Sequence, residues 1–385
     1  MKVNLKKIIE FLMILFLFEP IVFVKFKVVN YIYILGAVVS LIYIVVLKLA
    51  KKETKINLFT LILILYRVVL VINTIIFKGD ILKTGYQTIV LVSLFLYAEY
   101  FYNQNKMEVF INILHKIFFV YLLINLFSCI KFPNGIINGL YFLGIRTRFT
   151  EYSIILLLLS LIKHQKDNNK MSLIIDILLA VANIMIVSVS TGILGLMIIL
   201  LLYIVLRKIK YFNYKVLFWI GIILTIGIVF FGIQSKFAFI IEEVLHKEIS
   251  LTGRTEIWNN SFEHVFDSLI LTGHGYSNDG NFVPYYGGKW QAHNQLLQSL
   301  YETGIFGSIL FYWLFYKSLK KLNQESIEKK YKIITGSVLF AFIIMMITEI
   351  YGYYPPFYIS LVIAYYGDNI STYFFREKIE GKIKK

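Results

Sequence analysis

Cysteine is all but missing from this chain. The single one, Cys129, lies in an apolar stretch, which excludes internal disulfides and Cys-rich metal sites. No HExxH, HxxxH or carboxylate cluster suggests a metal, and no P-loop or GxGxxG offers a nucleotide cradle. Charge is scarce as well. Asp, Glu, Lys and Arg make up 16% of the residues, against about 25% in soluble domains. With a mean hydropathy of +0.71, that excludes an ordinary soluble globule. There is no repeat of fixed period and no low-complexity segment. The N-terminus, "MKVNLKKIIEFLMILFLFEPIVFVKF", imitates a signal peptide. No small-x-small cleavage site follows it, so it reads as a first membrane span.

What is present is hydrophobic surface: 58% of the residues are apolar and 17% aromatic. Apolar runs of about 18 residues recur along the whole length, the mark of an all-α polytopic membrane protein. Twelve spans are expected, at 8–24, 28–47, 56–77, 84–102, 109–130, 150–162, 172–188, 190–206, 216–233, 294–316, 333–350 and 355–375. The stretch 172–206 is too long for one crossing, and "SVSTG" at 188–192 offers a break. Charge parity supports two crossings there. With Lys116 counted to the side of the N-terminus, 27 of the 39 Lys and Arg fall on that side, eleven on the other, and Arg67 lies inside a span. The positive-inside rule makes the first side cytoplasmic. Both termini are then cytoplasmic, in a cytoplasmic (inner) membrane. The basic residues, and the pI of 9.5, serve orientation rather than nucleic-acid binding.

The chain divides into N-terminal transmembrane helices (1–171), a central core (172–320) and C-terminal transmembrane helices (321–385). Within the core, an outer loop spans residues 234–293. A connector needs only a handful of residues, and a loop this long is usually functional. Four of the six histidines fall in it or at its end. It reads as two short helices around a turn. One is "SLTGRTEIWNNSFEHVF" (250–266), with Thr252 or Gly253 as N-cap and Glu256 in the first turn. Arg254 and Trp258, four apart, share a face. "LTGHGYSNDGNFVPYYGG" follows, whose aromatics and amides suit a sugar.

Several side chains stand out. Arg254 is either a surface charge or an anion ligand near a helix N-terminus, and the second reading is favoured. His274, between two glycines, looks more like a turn residue than a base; His246 and His264 read as solvated. Arg146 and Arg148 stand before a span on the side where cations are scarce, as snorkelling anchors or as ligands for lipid phosphates. Arg67, mid-span in "LILILYRVVLVI", requires a partner or a function. His293 and Asn294 open the tenth span. A helix N-terminus keeps imidazole neutral and able to accept a proton. Glu302 lies about 12 Å deeper by helical rise, at a depth matching Arg67, and the two are expected to pair. Gly304 and Gly307 permit close helix packing.

Taken in order, "TGRTEIW" (252–258), "GHGY" (273–276) and "HNQLLQSLYETGIFG" (293–307) resemble the O-antigen ligase and Wzy-type polysaccharide polymerase superfamily. The resemblance covers 172–320 in motif and the whole chain in topology. It implies metal-independent, inverting glycosyl transfer from a polyprenyl-diphosphate-linked glycan on the outer face, with no cofactor. It further implies His293 and Arg254 as catalytic residues, with Arg146, Arg148, Trp258, His274, Asn294 and Glu302 at the substrate. The family's arginine after the serine in the preceding span is absent; "SVSTGILGL" has Thr191, and Arg146 or Arg148 is expected to compensate. Polymerisation of capsule, exopolysaccharide or O-antigen repeats is expected over ligation, with a chain-length regulator and a flippase as partners. A twelve-span transporter is the competing class. It would place charges mid-membrane and show internal repeats, whereas here the polar residues gather in one loop.

Overall fold

A computed structural model describes residues 5–376 apart from 238, 240–241, 244–247, 249–252, 268 and 277–290. It is all-helical. Among the described residues the only β pairing is two isolated bridges, Ile137–Leu140 and Tyr141–Gly144. The helices are α1 (Leu5–Leu15), α2 (Lys27–Ala50), α3 (Leu58–Ile76), α4 (Ile81–Asn103), α5 (Met107–Lys131), α6 (Arg148–Asp167) and α7 (Lys170–Met185). They continue with α8 (Ser190–Lys208), α9 (Lys215–Phe231), α10 (Arg254–Val265), α11 (Gln295–Lys321), α12 (Lys329–Met345), α13 (Pro355–Tyr365) and α14 (Gly367–Ser371). By length and composition α2, α3, α4, α5 and α8 suffice to cross a membrane, and α9 and α13 are shorter apolar helices. The molecule is an integral membrane protein.

Each of the twelve apolar segments contains a helix, with starts and stops set by local chemistry. Asn57, Asp80, Asn169 and Asn294 cap α3, α4, α7 and α11, each side chain accepting a backbone N–H of the first turn. The stretch 172–206 is two helices, parted at 186–189 where Ser188 takes φ 48°. Two segments differ from expectation. The first helix stops at Leu15, and a 3-10 turn, Ile21–Lys25, follows Pro20. Proline has no N–H to continue the ladder and disfavours helix in the residue before it. The last segment breaks at Tyr366, between α13 and α14. In the long loop, the expected helix forms as α10 with Gly253 at its N-cap; its expected companion falls largely outside the described residues.

The strongest packing pairs are α8 with α12, α3 with α11, α6 with α7 and α2 with α4. Small residues let backbones approach: Gly195 abuts Met345, Gly221 abuts Ile343 and Gly336 abuts Tyr214. Antiparallel neighbours gather alternate connections at one end of the bundle. There Gln295 N–H donates to the Met346 carbonyl (3.0 Å) and Asp80 N–H to the Tyr276 carbonyl (3.2 Å). At the opposite end a buried ion pair, Lys48 Nζ to Glu99 Oε1 at 2.7 Å, joins α2 to α4, and Thr60 of α3 donates to the other carboxylate oxygen.

Candidate active site at the mouth of helix 11

The opening of α11 is wrapped by the connection 346–354, "MITEIYGYY". His293 takes φ 47° and is half-buried; Asn294 follows in extended geometry and caps the helix. Asn294 is fully buried, its Oδ1 accepting from Leu297 N–H (2.9 Å) and its Nδ2 donating to the Ile347 carbonyl (2.8 Å). Gln295 Oε1 accepts from the N–H groups of Tyr351 (3.0 Å) and Gly352 (2.8 Å). The histidine thus sits in a left-handed conformation unusual for a side chain with a Cβ, held by a rigid neighbourhood. Such geometry concentrates at functional sites.

The same connection receives the cations. Arg254, at the first turn of α10, donates from Nη2 to Glu349 Oε1 at 2.6 Å. One turn on, Trp258 is buried, donates Nε1–H to the Ala292 carbonyl (3.0 Å), and packs with Val229, Val265, Leu297 and Ile347. Trp258, expected at the substrate, ties α10 to the Ala292 carbonyl, one residue before His293. Arg148, at the start of α6, donates Nη1–H groups to Glu151 Oε1 and the Ile350 carbonyl, both at 2.8 Å. Its guanidinium lies 3.9 Å from the centre of the Tyr354 ring, and Glu349 is within electrostatic reach. Arg254 and Arg148 therefore both bond to 346–354, as do Asn294 and Gln295 next to His293. Arg146 stays on the surface.

Thr191 stands on the first turn of α8, next to Gly192, whose Cα faces Thr150 of α6. The helix turn that carries Arg148 thus adjoins the turn that carries Thr191.

The "GHGY" motif serves a different purpose. His274 has a partner that the sequence did not reveal: Nε2 lies 2.8 Å from Asp267 Oδ2, and the ring stacks on Tyr301 with centroids 4.5 Å apart. His274 N–H donates to the Tyr301 carbonyl (2.7 Å) and Gly275 N–H to the Glu302 carbonyl (2.9 Å). Backbone groups of α11 that a straight helix would satisfy itself are satisfied here by the inserted loop, because α11 breaks at Gly304 (φ 61°, ψ −168°). Asn73 of α3 donates to the carbonyls of Thr272 and Glu302.

Glu302 and Arg67 do not pair directly. Glu302 is buried and accepts from Gln298 Nε2 (2.8 Å) and the Tyr353 hydroxyl. Arg67, fully buried, donates Nε–H to Thr88 Oγ1 (3.1 Å) and Nη2–H to the Thr84 carbonyl (3.2 Å). Equal depth did not mean contact, since α4 lies nearer to the guanidinium. The two charges still interact at longer range. Sequence reading also missed Glu349, Glu151, Tyr354 and Lys83, whose ammonium lies 5.0 Å from the Tyr276 ring centre. The available signal was "TEIYGYYPP" (348–356), a carboxylate and three tyrosines crowded between two apolar segments.

The family whose model matches this chain implies a glycosyltransferase-like membrane enzyme acting on a lipid-linked glycan. The family model described as O-antigen ligase matches residues 174–312, so the chain carries a domain of that family. The match runs from within α7 to within α11 and contains all three sequence motifs on which the resemblance rests. No curated protein matches the chain.

Proposed function

We propose that the protein polymerises polyprenyl-diphosphate-linked oligosaccharide repeats, as capsule, exopolysaccharide or O-antigen, on the outer face of the cytoplasmic membrane. The observation that carries this reading is that Arg254 and Arg148 both bond to the segment 346–354, to which Asn294, the neighbour of His293, is also tied. An acceptor hydroxyl attacks the anomeric carbon, its proton passes to His293, and the sugar–phosphate bond breaks with inversion. Arg254, and Arg148 beside Tyr354, bind the diphosphate that carries away the electron pair. Holding both lipids at one membrane level supplies much of the rate by proximity. The chain-length regulator and flippase expected as partners belong to this reading. The family description itself favours a second reading, transfer of a finished glycan to a separate acceptor.

Membranes supplied with the lipid-linked repeat separate these outcomes. A polymerase gives a ladder of lengths on gels, and a ligase gives one joined product. Arg254→Lys keeps the charge but loses the planar fork. Its expected result is a KM for donor raised about tenfold or more, with protein yield unchanged; an unaltered KM removes Arg254 from the diphosphate site.

Topology is tested separately. In a Cys129→Ser background, single cysteines at Asn278 and Ser326 report which face each occupies. An impermeant thiol reagent on intact cells is expected to label position 278 and spare 326. The reverse pattern overturns the orientation and with it the site on the outer face.

A further inference from the structure

We infer that Glu349 is a place-holding carboxylate: it occupies Arg254 when the lipid diphosphate is absent, and is exchanged for that diphosphate during each turnover. The inference rests on the anion-site reading above and adds a step to it.

The geometry is specific. Glu349 Oε1 is 2.6 Å from Arg254 Nη2, and Glu349 is 6% exposed. Arg148 acts electrostatically on the same carboxylate, and Glu151 adds a second carboxylate, paired with Arg148 at 2.8 Å. Arg254 thus has one carboxylate at hydrogen-bonding distance and Arg148 another. A guanidinium already bonded to a carboxylate offers an incoming diphosphate less than a bare one. One carboxylate must leave Arg254 before a phosphate can take its bonds.

Glu349 is the one placed to do so. Glu151 is fully buried on α6 beside Arg148, whereas Glu349 lies on a connection that carries no helix of its own. Carboxylate and phosphate oxygens accept from the same guanidinium donors, so the exchange needs no new site. The carboxylate also meets a cost on the protein side. A largely buried arginine left without a counter-ion is strongly destabilising, and Glu349 removes that cost between turnovers. After glycosyl transfer the departing polyprenyl diphosphate carries one more ionisable oxygen than the donor and is the tighter anion. A carboxylate ready to return to Arg254 favours its release.

The test is binding of farnesyl diphosphate to the purified full chain in detergent, by calorimetry. Glu349→Gln leaves the side chain's size and removes its charge. It is expected to bind farnesyl diphosphate about tenfold more tightly than wild type, the worth of one partly screened charge–charge contact. Glu349→Asp keeps the charge but draws it back from Arg254 by one methylene, and is expected to fall between the two. It also covers the case in which the glutamine variant does not fold. In turnover, Glu349→Gln is expected to lower KM and kcat together, because product is retained. A carboxylate that merely orients Arg254 gives the opposite sign: neither variant binds more tightly than wild type, and the inference is overturned while the site stands. If neither wild type nor Glu349→Gln binds farnesyl diphosphate, and Arg254→Ala changes nothing, the anion site fails and the inference with it.

Discussion

His293→Ala is expected to yield a folded, membrane-inserted protein that accumulates single repeats and makes almost no polymer. General-base assistance is typically worth about 10²–10⁴-fold, and the loss is expected in that range in a membrane assay with lipid-linked repeats. The structure separates this effect from folding. The cap of α11 is made by Asn294 Oδ1, and the tether to Ile347 by Asn294 Nδ2; His293 contributes to neither. Removing the imidazole therefore leaves the helix start intact. Asn294→Ala makes the contrast, since it loses a cap and a buried hydrogen bond. It is expected to cost about 1–3 kcal/mol of stability. Polymer ladders of wild-type length from His293→Ala, at matched expression, sink the role of the base.

Much of this architecture could be read from sequence, for physical reasons that differ from one element to another. The helices announce themselves because each apolar run must bury its backbone polar groups internally. Arg254 stood out because cations are scarce on the side opposite the basic loops, and His293 because it stands where a polar stretch runs into an apolar span. What stayed hidden depends on tertiary proximity. Exposed and buried tryptophans read alike in sequence, and only the fold puts the Trp258 Nε1–H on the Ala292 carbonyl. Glu349 lies 95 residues from Arg254, a separation that no local pattern spans. The Arg67–Glu302 pairing was inferred from depth along two helices, but depth fixes one coordinate only. The rotation of α3 turns the guanidinium toward Thr84 and Thr88 on α4.

Gly304→Ala is expected to be among the most destabilising single changes in the chain. Gly304 combines φ 61° with ψ −168°, a region open to glycine and strained by about 1–3 kcal/mol for other residues. A Cβ there would also lie 2.4 Å from the carbonyl carbon and oxygen of Leu271. Those atoms are backbone and cannot turn aside. Leu271 sits one residue before "TGHGY", and its carbonyl accepts from Phe306 N–H across the break (3.4 Å). The strain and the overlap act on one joint, and together they are expected to cost about 4 kcal/mol or more. Gly273→Ala attacks the same joint from the loop side. Its φ is +86°, and a Cβ would lie 2.5–2.6 Å from backbone atoms of Glu302, Thr303 and Gly304. Gly85→Ala on α4 is the control: nothing lies within 4 Å of its Cβ position, so helix propensity alone predicts a gain of up to about 1 kcal/mol. Thermal unfolding of the three purified variants in one detergent decides the matter. Gly304→Ala and Gly273→Ala should melt well below wild type and Gly85→Ala at or above it. If all three melt together, the loop is not wedged into the break. Glu302, whose carbonyl the loop satisfies, would then have to find its hydrogen bonds within α11 itself.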